Sequence, residues 1–508
     1  MTGHLEIERK YDADSDFDLP DLSALGTVGE SETYHLVAEY FDTEDLRLAA
    51  RGITLRRRSG GSDDGWHLKI PVGPDARREV HAPLDTSPPA IADPQPGDVP
   101  GAVDVSPVPG RLSTLAAAVA RGAALRQVAV LETRRTIVHL MDTDGRMLAE
   151  LADDLVCGTA PGQAPVSWRE IEVELGAAES RPLLDTIGKR LRKAGARPSG
   201  SGSKLARLLS VEGRPDATAT PHTAGEVAVA YLAAQVSALQ SYDPRVRLAE
   251  PDAVHRMRVA VRRIRSVLKS YGRVLDRTVT DPLQPELRWL AEVLGTVRDL
   301  EVIRERFTAR LAELPADVAR NRDWLDATAA REEGAYRSLN AELTGHRYFD
   351  LLDALDRLIA APPLTSRAGA DATTEVPKIV RAAWRRLARS YEAIPGAEDP
   401  DLARHDTRKD AKRARYAAEA ARPVLGAAAR NVAAQAEAVQ EALGGYQDGL
   451  IAQRHLATAA AATTDPGEIF TLGVLSGIEH CAARDSLAAL PAVWSEASDP
   501  SHLTALNR

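Results

Sequence analysis

HLEIERKYD, residues 4–12, alternates apolar with charged side chains. In an extended strand that alternation puts Glu6, Glu8 and Lys10 on one face and Leu5 and Ile7 on the other. Seven more stretches repeat the pattern: TYHLVAEYFDT (33–43), GITLRRRS (52–59), GWHLKIPV (65–72), RREVHAPL (77–84), RRTIVHLMD (134–142), RMLAELADD (146–154) and SWREIEVEL (167–175). Gly, Asp or Pro separates them, so the first 210 residues read as eight short strands of a barrel or sandwich. RLSTLAAAVARGA and RPLLDTIGKRLRKAG read as helices, and Asp85–Gly110, rich in Pro and Gly, as an irregular insertion.

The same-face charges fall into two kinds. Glu6 and Glu8, and Glu170, Glu172 and Glu174, are carboxylates; Arg56 with Arg58, His67 with Lys69, and Arg77 beside Glu79 bring bases. On a single strand such a face belongs in water. Across eight strands, a closed sheet with these faces inward is a charged, wet tunnel. Carboxylate clusters hold hard divalent cations, and Arg and Lys clamp phosphate oxygens. Together they suit metal-assisted hydrolysis of a polyphosphate chain.

Glu6-x-Glu8-x-Lys10 resembles the ExExK signature of the CYTH domain, the triphosphate tunnel metalloenzymes. The rest follows in family order: Tyr40-Phe41-Asp42-Thr43, Leu55-Arg56-x-Arg58, Lys69, Arg77-x-Glu79, an Arg at 134 or 135, the Asp pair 153–154, and EIEVEL. The resemblance covers about residues 3–208. It implies an eight-stranded antiparallel tunnel barrel, a Mg2+ or Mn2+ cofactor, and hydrolysis of a triphosphate by water with no Ser, Cys or His nucleophile. Carried onto this chain, Glu6, Glu8 and Lys10 become catalytic. Glu6, Glu8, Glu172, Glu174 and Asp154, preferred over Asp153, become metal ligands. Arg56, Arg58, Lys69, Arg77, Arg134 or Arg135, and Lys204 become phosphate contacts.

The chain has 508 residues and a formal net charge of −9, with 44% hydrophobic and 4% aromatic residues. That length suggests two to four domains. VEGRPDATATPHTAGE, residues 211–226, reads as linker, giving an N-terminal α+β domain at 1–210, a linker at 211–223 and an all-α domain at 224–497. The acidic total hides a basic segment. From His255 to Arg273 there are six Arg, one Lys and no acid. VHRMRVAVRRIRSVL and RHDTRKDAKRARYAA align at an offset of 150 residues, and LGTVRDL and LGGYQDGL at 149. The helical half therefore reads as two copies of a four-helix unit, about 224–360 and 377–497, separated by APPLTSRAGADATTEVP.

His255, Arg258, Arg262, Arg265 and Lys269 share one helix face, as do His405, Arg408, Lys412 and Arg415. A third stripe joins Lys378, Arg381, Arg385 and Arg389. Like charges stacked at this spacing repel, so an anion is expected beside them. EPDAVHRMRVAVRRIRSVLKSY resembles the signature of the CHAD domain, the conserved histidine α-helical domain, with its histidines at His255 and His405. That resemblance spans about 224–495 and implies two pseudo-symmetric four-helix bundles around a basic groove that binds inorganic polyphosphate. Asp406, Asp410 and Gln447, where the first copy has Arg298, predict weaker contacts in the second copy.

The expected function is metal-dependent hydrolysis of inorganic triphosphate or short polyphosphate, coupled to a polyphosphate-binding module. The alternative is a non-catalytic polyphosphate-binding or targeting protein. Few aromatics and the acidic total argue against nucleic acid as a partner. No run of about 20 apolar residues suggests a membrane span, and the charged start has no signal-peptide pattern. Cys157 and Cys481 form neither a zinc motif nor a disulfide framework. A cytoplasmic protein, associated with polyphosphate granules, is the expectation.

Overall fold

A computed structural model describes residues 3–73, 75–84, 107–176, 181–211, 220–319 and 322–507. Most of the expected irregular insertion, through residue 106, lies outside the described residues, as do linker residues 212–219. The chain divides into two compact units, Met1–Asp216 and Ala217–Arg508.

The first unit contains β1 (Gly3–Ala13), β2 (Thr27–Val28), β3 (Glu32–Asp42), β4 (Thr54–Ser59), β5 (Gly65–Gly73), β6 (Ala76–Ala82), α1 (Gly110–Ala120), β7 (Arg126–Met141), β8 (Met147–Thr159), β9 (Val166–Leu175), α2 (Arg181–Lys193), β10 (Arg197–Pro198) and α3 (Lys204–Leu208). Antiparallel ladders run β1–β6–β5–β4–β3–β7–β8–β9, and β9 returns to β1. The result is a closed eight-stranded barrel. The short strands β2 and β10 only extend β7 and β1.

Closure explains the alternation. One set of side chains lines the interior, and its charges need each other there. The other set is apolar and packs outward: Tyr11, Leu151, Ile171 and Val173 are buried with Leu184, Ile187 and Leu191 of α2. This half of the hydrophobic core therefore lies outside the barrel wall, each large side chain contributing about 2 kcal/mol. Gly188 permits that contact, since a Cβ there would lie 2.1 Å from the Tyr11 hydroxyl. Asp42 of the Tyr-Phe-Asp-Thr run is structural: its buried carboxylate accepts from the N–H groups of Thr43, Leu48 and Ala49 at 2.7–2.9 Å.

The second unit is helical: α4 (Ala224–Arg247), α5 (Ala253–Ser270), α6 (Arg277–Thr280), α7 (Leu283–Glu313), α8 (Asp323–Glu342), α9 (His346–Ala360), α10 (Ala372–Glu392), α11 (Pro400–Ala462), α12 (Pro466–Ala497) and α13 (Pro500–Thr504). α11 is two arms: Gly426 breaks the helix at φ 52°, ψ −121°. With that break, α4, α5, α7 and α8 correspond to α10, the two arms of α11, and α12. The starts of α4 and α10 pair with each other through an antiparallel bridge between Thr223 and Asp371, each of which caps its own helix.

Candidate active site and anion-binding surface

The ladders fix which side chains share the tunnel. Glu8 stands opposite Glu174 and Lys10 opposite Glu172. Glu6 stands opposite Arg77, Glu79 opposite Lys69, and Tyr40 opposite Arg56. Arg135 faces Asp154, which faces Glu170. Arg134 therefore belongs to the outer face of β7, where it is exposed, and the expectation that it contacts phosphate is withdrawn. Successive strand residues alternate sides, so only one of the two arginines can enter. The same parity sends Asp153 outward, where it pairs with Arg169 at 2.7 Å.

Two environments divide the interior. At one, Glu172 receives Lys10, Arg135 at 2.5 Å and Lys204 at 2.7 Å. Lys204 also reaches Asp154 at 2.9 Å and Glu170 at 2.8 Å. It can do so because Ser203 caps the short α3 and aims the first helical side chain back at the barrel. Burial alone would raise the Glu172 and Asp154 carboxyls. The surrounding Lys10, Lys204 and Arg135 instead hold Glu172 well below the ordinary range, and Lys204 and Arg135 lower Asp154.

At the other, Lys69 donates to Glu6 at 2.6 Å, and His67 meets Glu79 at 2.8 Å. Burial pushes Glu6 up to about 8 against the pull of Lys69, helped by a hydrogen bond from Glu6 to Glu79. Burial likewise lifts Glu174 to about 7, with Glu8, Glu150 and Glu172 adding to it. Glu8 goes the other way: Lys10, Lys69 and Arg77 outweigh its burial. Oxygen or nitrogen atoms of His4, Glu6 and Glu174 lie within 4.8 Å of one another, as do carboxylate oxygens of Asp154, Glu170 and Glu172. The second group is already neutralised by three bases. The first is short of positive charge, and so its donors fit a hard divalent cation.

Arg56 and Arg58 project from β4 with their Nε groups buried and lacking a hydrogen-bond partner. Burial, with Arg56 and Arg135 nearby, lowers Arg58 to about 9. Guanidiniums held this way suit an anion. Of the expected tunnel residues, all but Arg134 face inward. Sequence reasoning placed His67 and Glu79 among the same-face charges and Tyr40 in a motif but gave none of them a site role, and it passed over His4.

In the helical unit, Arg258, Arg262, Arg408 and Lys412 converge. Burial and then Arg408, Arg262 and Arg258 push Lys412 down to about 7. The Nε groups of Arg258, Arg262 and Arg408 are buried without hydrogen-bond partners. His405 meets Gln447 at 2.5 Å, and Gln447 accepts from Arg408 at 3.2 Å. His255 is lowered chiefly by burial, then by Arg298. Arg265 and Lys269 join Arg288, Arg386 and Arg413 instead, as their lowered values record after burial itself.

Two expectations change here. Arg415 turns to Glu419 at 2.9 Å and Glu437 at 2.8 Å, so its charge is spent on carboxylates rather than on the basic surface. On α10 the stripe does not converge on these groups as a whole. Lys378 pairs with Glu375 at 2.9 Å, and Arg385 is exposed. Arg386 of α10 reaches the basic group around Lys269 and Arg413, through Asp410 at 2.7 Å, which also takes Arg413 at 3.1 Å.

Residues 4–209 match the CYTH domain family and residues 230–457 the CHAD domain family. Uncharacterized protein Rv2226 of Mycobacterium tuberculosis (strain ATCC 25618 / H37Rv) is 38% identical over 506 residues, spanning 93% of this chain and 92% of that one. Among solved structures, PptA from Streptomyces chartreusis is similar at 22% identity and a TM-score of 0.45, covering 54% of this chain and 100% of that one. The Hippeastrum putative adenylyl cyclase HpAC1, described as having a dominant triphosphatase activity, matches at 17% identity and a TM-score of 0.24 over 41% of this chain and 98% of that one. No helix among the described residues is long and apolar enough to cross a membrane.

Proposed function

Because this chain belongs to the proteins that join a CYTH domain to a CHAD domain, we propose that its barrel hydrolyses inorganic triphosphate or short polyphosphate with Mg2+ or Mn2+, and that its helical unit binds polyphosphate. The observation that carries this reading is the division of the tunnel: under-neutralised carboxylates at Glu6 and Glu174, and buried Nε groups without hydrogen-bond partners at Arg56 and Arg58, whose guanidiniums otherwise meet Tyr40 and Asp63.

Glu6 and Glu174, with Glu8 opposite Glu174 on the ladder, are the residues that would hold the cation. A bound divalent cation supplies Lewis-acid polarisation of phosphoryl oxygens. Arg56, Arg58, Lys69, Arg77 and Arg135 take the phosphate charge, and Lys10 and Lys204 hold Glu172 ionised beside them. In this reading the tunnel recognises phosphates alone, which favours inorganic chains over nucleotides. The deciding assay is phosphate release from inorganic triphosphate, ATP and thiamine triphosphate with Mg2+ or Mn2+. Release from inorganic triphosphate that stops in EDTA is expected. Release undiminished by EDTA would reject the metal reading, and no release from any of them would favour the non-catalytic alternative.

The proton count gives a second test. Between about 4.5 and about 8 the folded chain keeps protons on Glu6 and Glu174 that the unfolded chain has lost. With more protons bound in the folded state, these groups make folding less favourable as pH rises through that window. A cation on the same carboxylates displaces those protons, so its stabilisation grows with pH. The rise in Tm on adding Mg2+ or Mn2+ is expected to be larger at about pH 8.5 than at about pH 6. An equal rise at both would put the cation elsewhere.

A further inference from the structure

Two glycines recur at matching places in the helical repeat. Gly295, in LGTVRDL on α7, and Gly444, in LGGYQDGL on the second arm of α11, are both buried in helix interiors. Glycine is the poorest residue there apart from proline, so its presence needs a reason. The reason lies across the helix interface. A Cβ at Gly295 would lie 3.3, 3.5 and 3.6 Å from Nη2, Nε and Cζ of Arg258. A Cβ at Gly444 would lie 2.9, 3.3 and 3.4 Å from the same three atoms of Arg408. In each repeat a guanidinium thus lies flat against a bare stretch of helix.

An aspartate four residues further along each helix completes the notch. Arg258 reaches Asp299 at 3.7 Å, and Arg408 reaches Asp448 at 3.7 Å. Burial lowers Arg258, and Arg262, Arg298 and Arg408 add to it against the opposing pull of Asp299; both guanidiniums also lower Lys412. Each keeps a buried Nε without a hydrogen-bond partner.

We infer that Gly295 and Gly444 are positioning residues: each leaves the space in which Arg258 or Arg408 lies flat, so that the two guanidiniums stand together with Arg262 and Lys412 beside a shared anion, and the anion is inorganic polyphosphate. This rests on the polyphosphate reading of the helical unit. It also explains why a helix-weakening residue recurs in both copies of the repeat: a methyl group at Gly444 would displace the Arg408 guanidinium, and one at Gly295 would crowd that of Arg258 by a few tenths of an ångström.

The consequence separates positioning from packing. Alanine is a better helix former than glycine, so a packing-neutral change should raise stability. In the full-length chain, Gly295→Ala and Gly444→Ala are expected to leave Tm unchanged or raise it by roughly 2 °C. Each should weaken binding of long-chain inorganic polyphosphate by about tenfold, as when a charge-assisted hydrogen bond is lost. Gly444→Ala should have the larger effect, because its methyl lies closer. In an Arg258→Ala background, Gly295→Ala should cause no further loss, since it acts only through that side chain.

Titration calorimetry with polyphosphate, alongside thermal melts, reads both quantities. Unchanged affinity in both glycine variants, with Arg258→Ala weakened, overturns the positioning role and leaves the binding reading standing. A fall in Tm that tracks the loss of affinity overturns it too, in favour of packing. A wild-type chain that ignores polyphosphate overturns the binding reading itself and this inference with it.

Discussion

Replacing Glu172 with Gln is expected to destabilise the barrel by about 3–5 kcal/mol, because it removes the one carboxylate shared by three buried bases. Lys10, Arg135 and Lys204 all point at it, at distances reaching 2.7 Å for Lys204. Gln keeps the shape and an acceptor oxygen but not the charge. Asp154 and Glu170 still compensate Lys204, and Asp154 still holds Arg135, but Lys10 is left with Glu8 at 3.4 Å. Each kcal/mol is worth roughly 2–4 °C in a unit of this size, so the melting transition of the barrel should fall on the order of 10 °C. The sign of the pH dependence follows. Glu172 is held below its ordinary range in the folded chain, so its contribution is present above that range and is lost only as pH falls through the folded value. The gap between wild type and variant should therefore be full at neutral pH and close only in strong acid. A variant that melts with the wild type at neutral pH would mean the hub carries no net charge dependence.

Replacing Glu6 with Gln should do the opposite: little change in stability without a divalent cation, and a loss of metal-dependent phosphate release by roughly two to three orders of magnitude. With its carboxyl raised to about 8, Glu6 is mostly protonated at neutral pH when no cation is bound. A neutral carboxyl and a carboxamide are alike there: each offers an oxygen to Lys69 at 2.6 Å and a donor to Glu79. What Gln cannot do is give up a proton and take a cation. The rise in Tm with Mg2+ or Mn2+ should shrink along with the activity. If Gln at this position keeps wild-type turnover, the cation is not held at Glu6, and the carboxylates around Asp154 become the place to look.

These two glutamates look alike in the sequence. Both sit in alternating acidic strands, and the ExExK and EIEVEL runs gave no reason to treat one as a structural hub and the other as a proton-holding ligand. The difference comes from neighbours on other elements: Lys204 of α3, 32 residues beyond Glu172, folds back onto it, while Glu6 lies beside Glu79 of the adjacent strand β6, inside the barrel. Desolvation raises both carboxyls; Lys10, Lys204 and Arg135 reverse it at Glu172, whereas at Glu6 only Lys69 opposes it and Glu79 and Glu174 add to it.

The sequence by itself determined the strand count, which charges share a strand face and the two helical copies, because periods of two and of three to four residues are local properties of the backbone. It also paired His255 with His405 and Gly295 with Gly444, since a repeat is visible without a fold. Tertiary structure alone decided between Arg134 and Arg135, and it placed Asp154, already preferred over Asp153 in the sequence, opposite Arg135, because inward and outward are defined only once β7, β8 and β9 settle into register. It likewise turned Arg415 to Glu419 and brought in Arg386 in place of Arg385. A helical stripe specifies a face, but the charge that meets that face comes from residues far away in the chain, and Coulomb interaction depends on that distance in space.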